Sequence, residues 1–165
     1  MTPFSLRAAL PRDADFLTDM LCEAVNWDPG REPLSRAQIL ADPTMARYVE
    51  GWPRPGDTGV IAESGRPFAA VWLRHFTAEE PGYGFISPEI PELTIAVLPG
   101  WRGHRFGERL LMTIFEQAIG FDRVSLSVER ANRARDLYLR FGFTTVESGA
   151  DSDTMVKILT TSTIE

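Results

Sequence analysis

Cysteine occurs once in the chain, at Cys22. One thiol cannot close an internal disulfide, and a reducing compartment fits that usage. Cys22 falls in a helical pattern with no histidine near it in sequence, which suits a small packing residue better than a nucleophile. No stretch approaches the ~18 continuous apolar residues of a membrane span. The first residues, MTPFSLRAAL, lack a basic segment followed by an apolar run, so no secretory leader is expected. Basic residues are in deficit: 17 Lys and Arg stand against 23 Asp and Glu, for a net charge of -6. A general nucleic-acid binder shows a basic stripe, so that class is set aside. The acidic balance keeps a protein soluble and would also steer a cationic substrate. Repeats, low-complexity tracts and inter-domain linkers are missing, and no metal is expected. The expected location is the cytoplasm, free of membrane and nucleic acid.

What is present suits a single domain spanning 1–165. Hydrophobic residues make up 44% and charged residues 24%, enough for a real core without staples. Phe4 to Leu10 reads as a strand, and Pro11 opens a helix in which Phe16, Leu17, Met20, Leu21, Ala24 and Val25 recur at helical spacing. A second helical stretch covers Ser35 to Gly51, with Ser35 as N-cap and Pro43 breaking or kinking it. Thr58 to Glu63 and Phe68 to Phe76 read as a hairpin. Between them and the next strand lies a Pro- and Gly-rich loop, Thr77 to Pro91, carrying Tyr83, Phe85 and Ile86. Such aromatics line a site or pin the loop to the core. Strand Leu93 to Val97, helix Phe106 to Ile119, strand Arg123 to Val128, helix Asn132 to Gly142 and two closing strands complete the order. The plan is mixed α/β: a central, mostly antiparallel twisted sheet of about six to seven strands flanked by about four helices.

The stretch LTIAVLPGWRGHRFGERLL, Leu93 to Leu111, carries the chemistry. An apolar strand runs through a turn holding Gly100, Gly103 and Gly107, with Arg102, His104 and Arg105 among them, into an amphipathic helix. The first N–H groups of a helix lack internal partners, and its dipole adds positive charge there. Together they make an anion site suited to phosphate or pyrophosphate. Glycines let a phosphate approach the backbone, and arginines add charge-assisted hydrogen bonds. The basic groups therefore answer one anionic ligand and need not match the global charge. A Walker loop is absent, because no Lys-Ser or Lys-Thr follows the glycines. A dinucleotide fingerprint is disfavoured by the spacing and by the turn's late place in the chain.

With IAVLPGWRGHRFGERLL, VSLSVERAN and DLYLRFGF in that order, Leu93 to Phe143 resembles the GNAT superfamily of acyl-coenzyme-A-dependent N-acetyltransferases. That family has a strand, then Arg/Gln-x-x-Gly-x-Gly/Ala, then a helix. It continues with a strand, an Asn near the start of the next helix, and a Tyr before a Gly-Phe pair. Arg102 matches the first residue of the turn and Gly107 the last; Asn132, Tyr138, Gly142 and Phe143 follow in order. One departure stands out: Arg105 occupies the position of the first glycine. If that position needs glycine's backbone angles, Arg105 is strained by ~1 kcal/mol or more. If the angles are ordinary, its side chain reaches toward phosphate or solvent.

The resemblance implies acetyl-CoA as cofactor and transfer of its acetyl group to a primary amine of a small molecule or peptide, directly within a ternary complex. It implies a coenzyme site formed by Ile95, Ala96, Val97, Arg102, Gly103, His104, Arg105, Phe106, Gly107, Glu108, Asn132 and Tyr138. The backbone around Ile95 to Val97 would hold the pantetheine and the acetyl carbonyl. Tyr138 is the candidate general acid for the departing thiolate; the competing role is a tyrosine buried on the helix's inner face. Asn132 would bond the coenzyme, cap its helix, or both. Glu92 is the candidate base; it could instead be an exposed strand-end carboxylate or a binder of a cationic substrate. His75 is the other titratable candidate, and His104 belongs with the phosphate. Trp52, Tyr83 and Phe85 are expected on the acceptor side. The other class is a non-catalytic acyl-CoA-binding or protein-interaction module on the same fold. A homodimer would suit the family, although one chain rarely displays its symmetric patch.

Overall fold

Ser5–Ala8 forms β1, and a single 3-10 turn at Pro11–Asp13 leads into α1, Ala14–Val25. The computed structural model describes residues 3–118 and 120–159. Leu17, Met20 and Leu21 of α1 are buried, as the spacing predicts. The second helical stretch is two short helices: α2, Arg36–Ala41, and α3, Pro43–Ala46. Ser35 caps α2 reciprocally with Gln38, each side chain bonding the other's backbone N–H. Pro43 begins α3 because its fixed φ suits a first helical turn, and Asp42 caps it through the N–H groups of Thr44 and Met45. The count of about four helices therefore becomes five among the described residues.

Thr58–Ser64 (β2) and Arg66–Arg74 (β3) pair antiparallel as a hairpin around Gly65, whose φ of 74° needs a residue without a side chain. Glu92–Val97 is β4, Phe106–Gln117 is α4, Arg123–Glu129 is β5 and Ala134–Arg140 is α5. The expected end of α4 at Ile119 lies outside the described residues, as do the two ends of the expected domain, 1–2 and 160–165. Thr144–Ser148 (β6) and Ser152–Ile158 (β7) close the chain. The seven strands form one sheet in the order β1-β2-β3-β4-β5-β7-β6. Every pair is antiparallel except β4–β5, whose parallel strands are joined by the α4 crossover.

Alternation along the strands divides the core in two. Val71, Leu93, Leu126 and Phe143 pack with Leu110 and Ile114 of α4 on one face. Ile61, Ala70 and Trp72 pack with Leu17, Ile39 and Tyr48 on the other. Arg74 and Asp57 form a buried ion pair at 2.7 Å, with side chains 1% and 2% exposed. Arg74 also donates to the carbonyls of Arg47 and Glu50, so its buried charge is fully partnered and the chain after α3 is tied to β3.

The feature that positions the site is the weakness of the β4–β5 seam. The two strands share one register pair, Glu92 with Ser125. Beyond it they part, and a cavity of about 1100 Å³ opens between Thr94–Val97 on β4 and Ser127–Glu129 on β5.

Candidate active site

One edge of β4 is paired with β3 from Glu92 to Val97. The other faces the cavity, so backbone groups on this half of the strand are open to a ligand. Ile95, Ala96 and Val97 line that cavity, as expected. At the far end of β4 the Arg102 Nε donates to the Val97 carbonyl at 2.8 Å, and Arg102 Nη2 to Glu23 at 3.0 Å. Arg102 thus braces the strand end against α1 while its outer face remains on the cavity wall.

The turn has the geometry the anion argument needs. Gly103 has φ 83° and Arg105 has φ 65°, ψ 22°. The position does demand the left-handed region, and Arg105 is the one described non-glycine residue that occupies it. It serves as N-cap of α4 without a side-chain cap, so the first-turn N–H groups stay free. Gly107 lines the cavity, and a Cβ there would stand 3.1 Å from Leu137. A smaller recess of about 390 Å³ adjoins, walled by Arg102, Gly103, Arg105, Phe106, Glu108 and Arg140. Glu108 is paired with Arg140 at 3.0 Å, which offsets its charge. His104 is exposed and lines neither space.

Asn132 and Tyr138 line the large cavity from the α5 side. The Asn132 side-chain oxygen accepts from Ala134 N, the first residue of α5, at 2.9 Å and leaves its amide nitrogen available. Tyr138 is buried with its ring 5.8 Å from Phe143, yet its hydroxyl has no hydrogen-bond partner among the described residues. Burial pushes its phenol pKa above the ordinary value, which keeps it protonated.

Glu92 is not an exposed strand-end acid: it is 2% exposed. Tyr48 donates its hydroxyl to Glu92 Oε2, and Gly84 N donates to Oε1 at 2.9 Å. Tyr83 N in turn donates to the Tyr48 hydroxyl at 2.8 Å. Burial pushes the Glu92 carboxyl up to about 7, against the opposing pull of those two donors. Burial and the neighbouring carboxylate also push the Tyr48 phenol well up, so it stays a donor. Two glycines make room for this arrangement. A Cβ on Gly82 would strike the Glu92 carboxylate and the Tyr48 hydroxyl, and one on Gly84 would lie 2.7 Å from the Leu126 backbone.

Of the three aromatics expected on the acceptor side, only Tyr83 reaches the cavity. Trp52 is buried in the second core, its Nε1 donating to the Leu10 carbonyl at 3.2 Å. Phe85 packs against the same core. His75 is likewise away from the cavity, its Nδ1 2.9 Å from the Pro88 carbonyl oxygen. Cys22 does not line it either. Sequence reasoning missed Tyr48 and the segment after α1, where Trp27, Asp28, Arg31 and Leu34 line the cavity mouth. Tyr48 lies 44 residues from Glu92, and no local pattern marks that contact.

One cavity thus joins a split seam between parallel strands, a glycine turn opening a helix, a buried acid and a phenol. The profile of the acetyltransferase (GNAT) domain matches residues 57–145, more than half of the 165 residues. The chain belongs to the GNAT family of acetyltransferases. Solved structures agree in fold. The putative acetyltransferase yncA from Salmonella typhimurium, with its cofactor acetyl-CoA, is 19% identical with a TM-score of 0.67, covering 98% of this chain and 96% of its own. The PaiA N-acetyltransferase from Thermoplasma acidophilum, in complex with coenzyme A, is 16% identical with a TM-score of 0.65, covering 94% and 99%. The spermidine/spermine N-acetyltransferase SpeG from Vibrio cholerae, in mutant forms, is 18% identical with a TM-score of 0.62, covering 94% of each chain. No curated protein matches the sequence.

Proposed function

We propose that the protein transfers the acetyl group of acetyl-CoA to a primary amine, directly and within one ternary complex. The observation that carries this reading is one continuous cavity holding Glu92, the free edge of β4 and Tyr138 together. The residues fit the coenzyme: the left-handed turn at Gly103 and Arg105 presents free helix N–H groups beside Arg102, and the opened seam gives a linear arm its channel. Bound acetyl-CoA supplies an activated thioester.

The β4 backbone around Ile95 to Val97 holds the donor arm and its carbonyl, and its fixed N–H dipoles favour the charge that develops there. Glu92 takes a proton from the incoming ammonium, through water or directly. A carboxyl held at about 7 is half ionised near neutral pH, which suits a base that must both accept and release a proton. The Tyr138 hydroxyl, protonated and without a partner among the described residues, gives its proton to the departing sulfur. The nitrogen sheds its second proton as the intermediate collapses, and that proton returns through water to the Tyr138 phenolate, so the step ends with Glu92 protonated and Tyr138 neutral. No described cysteine lines the cavity, which favours direct transfer over an acyl-enzyme. Calorimetric titration tests the donor site: acetyl-CoA should bind saturably, and ATP and NAD should not compete. Competition by either nucleotide, or no binding of acetyl-CoA, would contradict the assignment.

A further inference from the structure

The cavity is lined by more carboxylates than the chemistry needs, and their partners reveal what they do. Five acids line the cavity: Glu23, Asp28, Glu32, Glu92 and Glu129. Arg102 holds Glu23 at 3.0 Å. Arg31 holds Glu129 with two bonds, at 3.1 and 2.8 Å, and lies 3.4 Å from Asp28. Trp27 Nε1 adds a third bond to Glu129 at 2.5 Å, and the Arg31 guanidinium sits 5.2 Å from the Trp27 ring centre. Arg31 therefore keeps Glu129 ionised but already neutralised, its carboxyl pKa pulled below the ordinary range. Glu92 is capped by Tyr48 and Gly84 and accounts for one ammonium. Of the five, Glu32 alone has no ion-pair or hydrogen-bond partner among the described residues.

A polycationic acceptor needs a free carboxylate for each ammonium remote from the reacting one. Here Arg31 and Arg102 already occupy Asp28, Glu129 and Glu23, so Glu32 is the one carboxylate beside Glu92 left for a second ammonium, and Arg133, without an ion pair among the described residues, lines the same cavity. The surface between them is apolar: Leu21, Val25, Leu34, Met45 and the rings of Trp27 and Tyr83 line it. Tyr83, 54% exposed and stacked on Tyr48 at 6.3 Å, offers a flat face next to Glu92's anchor.

We propose that the acceptor is a monoamine whose nitrogen is carried on an apolar body, aliphatic or aromatic, and not a polyamine. The inference rests on the acetyl-transfer reading above. Its geometry is one ammonium at Glu92, with the body along Tyr83, Met45 and the Trp27–Leu34 segment, and a mouth whose acids, Glu32 apart, are spent on Arg31 and Arg102.

The test compares 2-phenylethylamine and hexylamine with spermidine as acceptors at saturating acetyl-CoA. The apolar amines should exceed spermidine in kcat/KM by at least about tenfold, the discrimination an apolar site supports. Arg31→Ala, at a half-exposed position where folding is not at stake, frees Glu129 and Asp28 and should move the ratio toward spermidine by about fivefold. Spermidine matching or exceeding the apolar amines in the unaltered protein would overturn the proposal, and so would a ratio that Arg31→Ala leaves unmoved. If no amine is acetylated, the acetyl-transfer reading fails. The acceptor proposal is then decided by calorimetry on the protein–coenzyme A complex: binding of 2-phenylethylamine above spermidine supports it, and any other order, or no binding, overturns it.

Discussion

Tyr48 donates its hydroxyl to the buried carboxylate of Glu92, and the two side chains meet across 44 residues of sequence. Glu92 has a second donor in Gly84 N, at 2.9 Å. Both donors stabilise the charged form in a place where burial opposes it.

Tyr48→Phe removes one of the two donors and leaves the burial. The Glu92 carboxyl then rises further, and the acid limb of the kcat/KM profile moves up by about one pH unit, as loss of a hydrogen bond to a charged group requires. A pH–rate profile on both proteins checks it. An unmoved limb would mean that Glu92 does not govern the rate.

The same group makes stability depend on pH in a definite direction. Its folded value of about 7 lies above the ordinary 4.5, so between these the folded state binds more protons than the unfolded state. Stability contributed by the neutral form is present below about 4.5 and is lost as pH rises through 7. Glu92→Gln has no such loss. Its stability relative to the parent should therefore improve from pH 4.5 to 8, by an amount on the order of 3 kcal/mol, read from denaturant melts at each pH.

Much of the fold was legible because its signals are local. Ser35 with Gln38, Pro43 as a break, the β2–β3 hairpin and the strand–turn–helix after Leu93 each declare themselves within a few residues. So did the strand and turn from Ile95 to Gly107 that line the cavity, whose residues lie close together in the chain. The acceptor side was not legible. Trp52, Phe85 and Tyr83 are loop aromatics of the same appearance, and only tertiary packing turns two toward the core and one toward the cavity. Tyr48 and the Trp27–Leu34 segment arrive from elsewhere in the sequence, so no spacing announces them. The sequence posed Arg105 as a conditional, and its φ of 65° resolves that conditional in favour of strain.

Arg105→Gly should consequently stabilise the protein. A left-handed residue with a side chain costs about 1–2 kcal/mol. Glycine's greater freedom in the unfolded chain returns about half of that, for a net gain of about 0.5–1 kcal/mol. Arg105→Ala keeps the strain and should gain nothing. Thermal melts of the three proteins separate these outcomes.

Gly84→Ala should do the reverse. Its Cβ would fall 2.7 Å and 2.9 Å from backbone atoms of Leu126 and 2.9 Å from Ser127 N, none of which can rotate aside. The loop must lift, at about 1–3 kcal/mol, and its N–H leaves Glu92. Turnover should fall with stability, while acetyl-CoA affinity, which we assign to the α4 end, should be retained.

Acetyl transfer is tested by a single-vessel assay of acetyl-CoA with an apolar primary amine, reading free thiol and acetylated amine together. The two products should appear in equal amounts. Tyr138→Phe should lower kcat by about 100-fold, the scale of one lost proton donor, with acetyl-CoA affinity kept. Thiol release without acetylated amine, or full turnover by Tyr138→Phe, would contradict it; acetyl-CoA binding with no turnover on any amine would leave a binding module on an acetyltransferase fold.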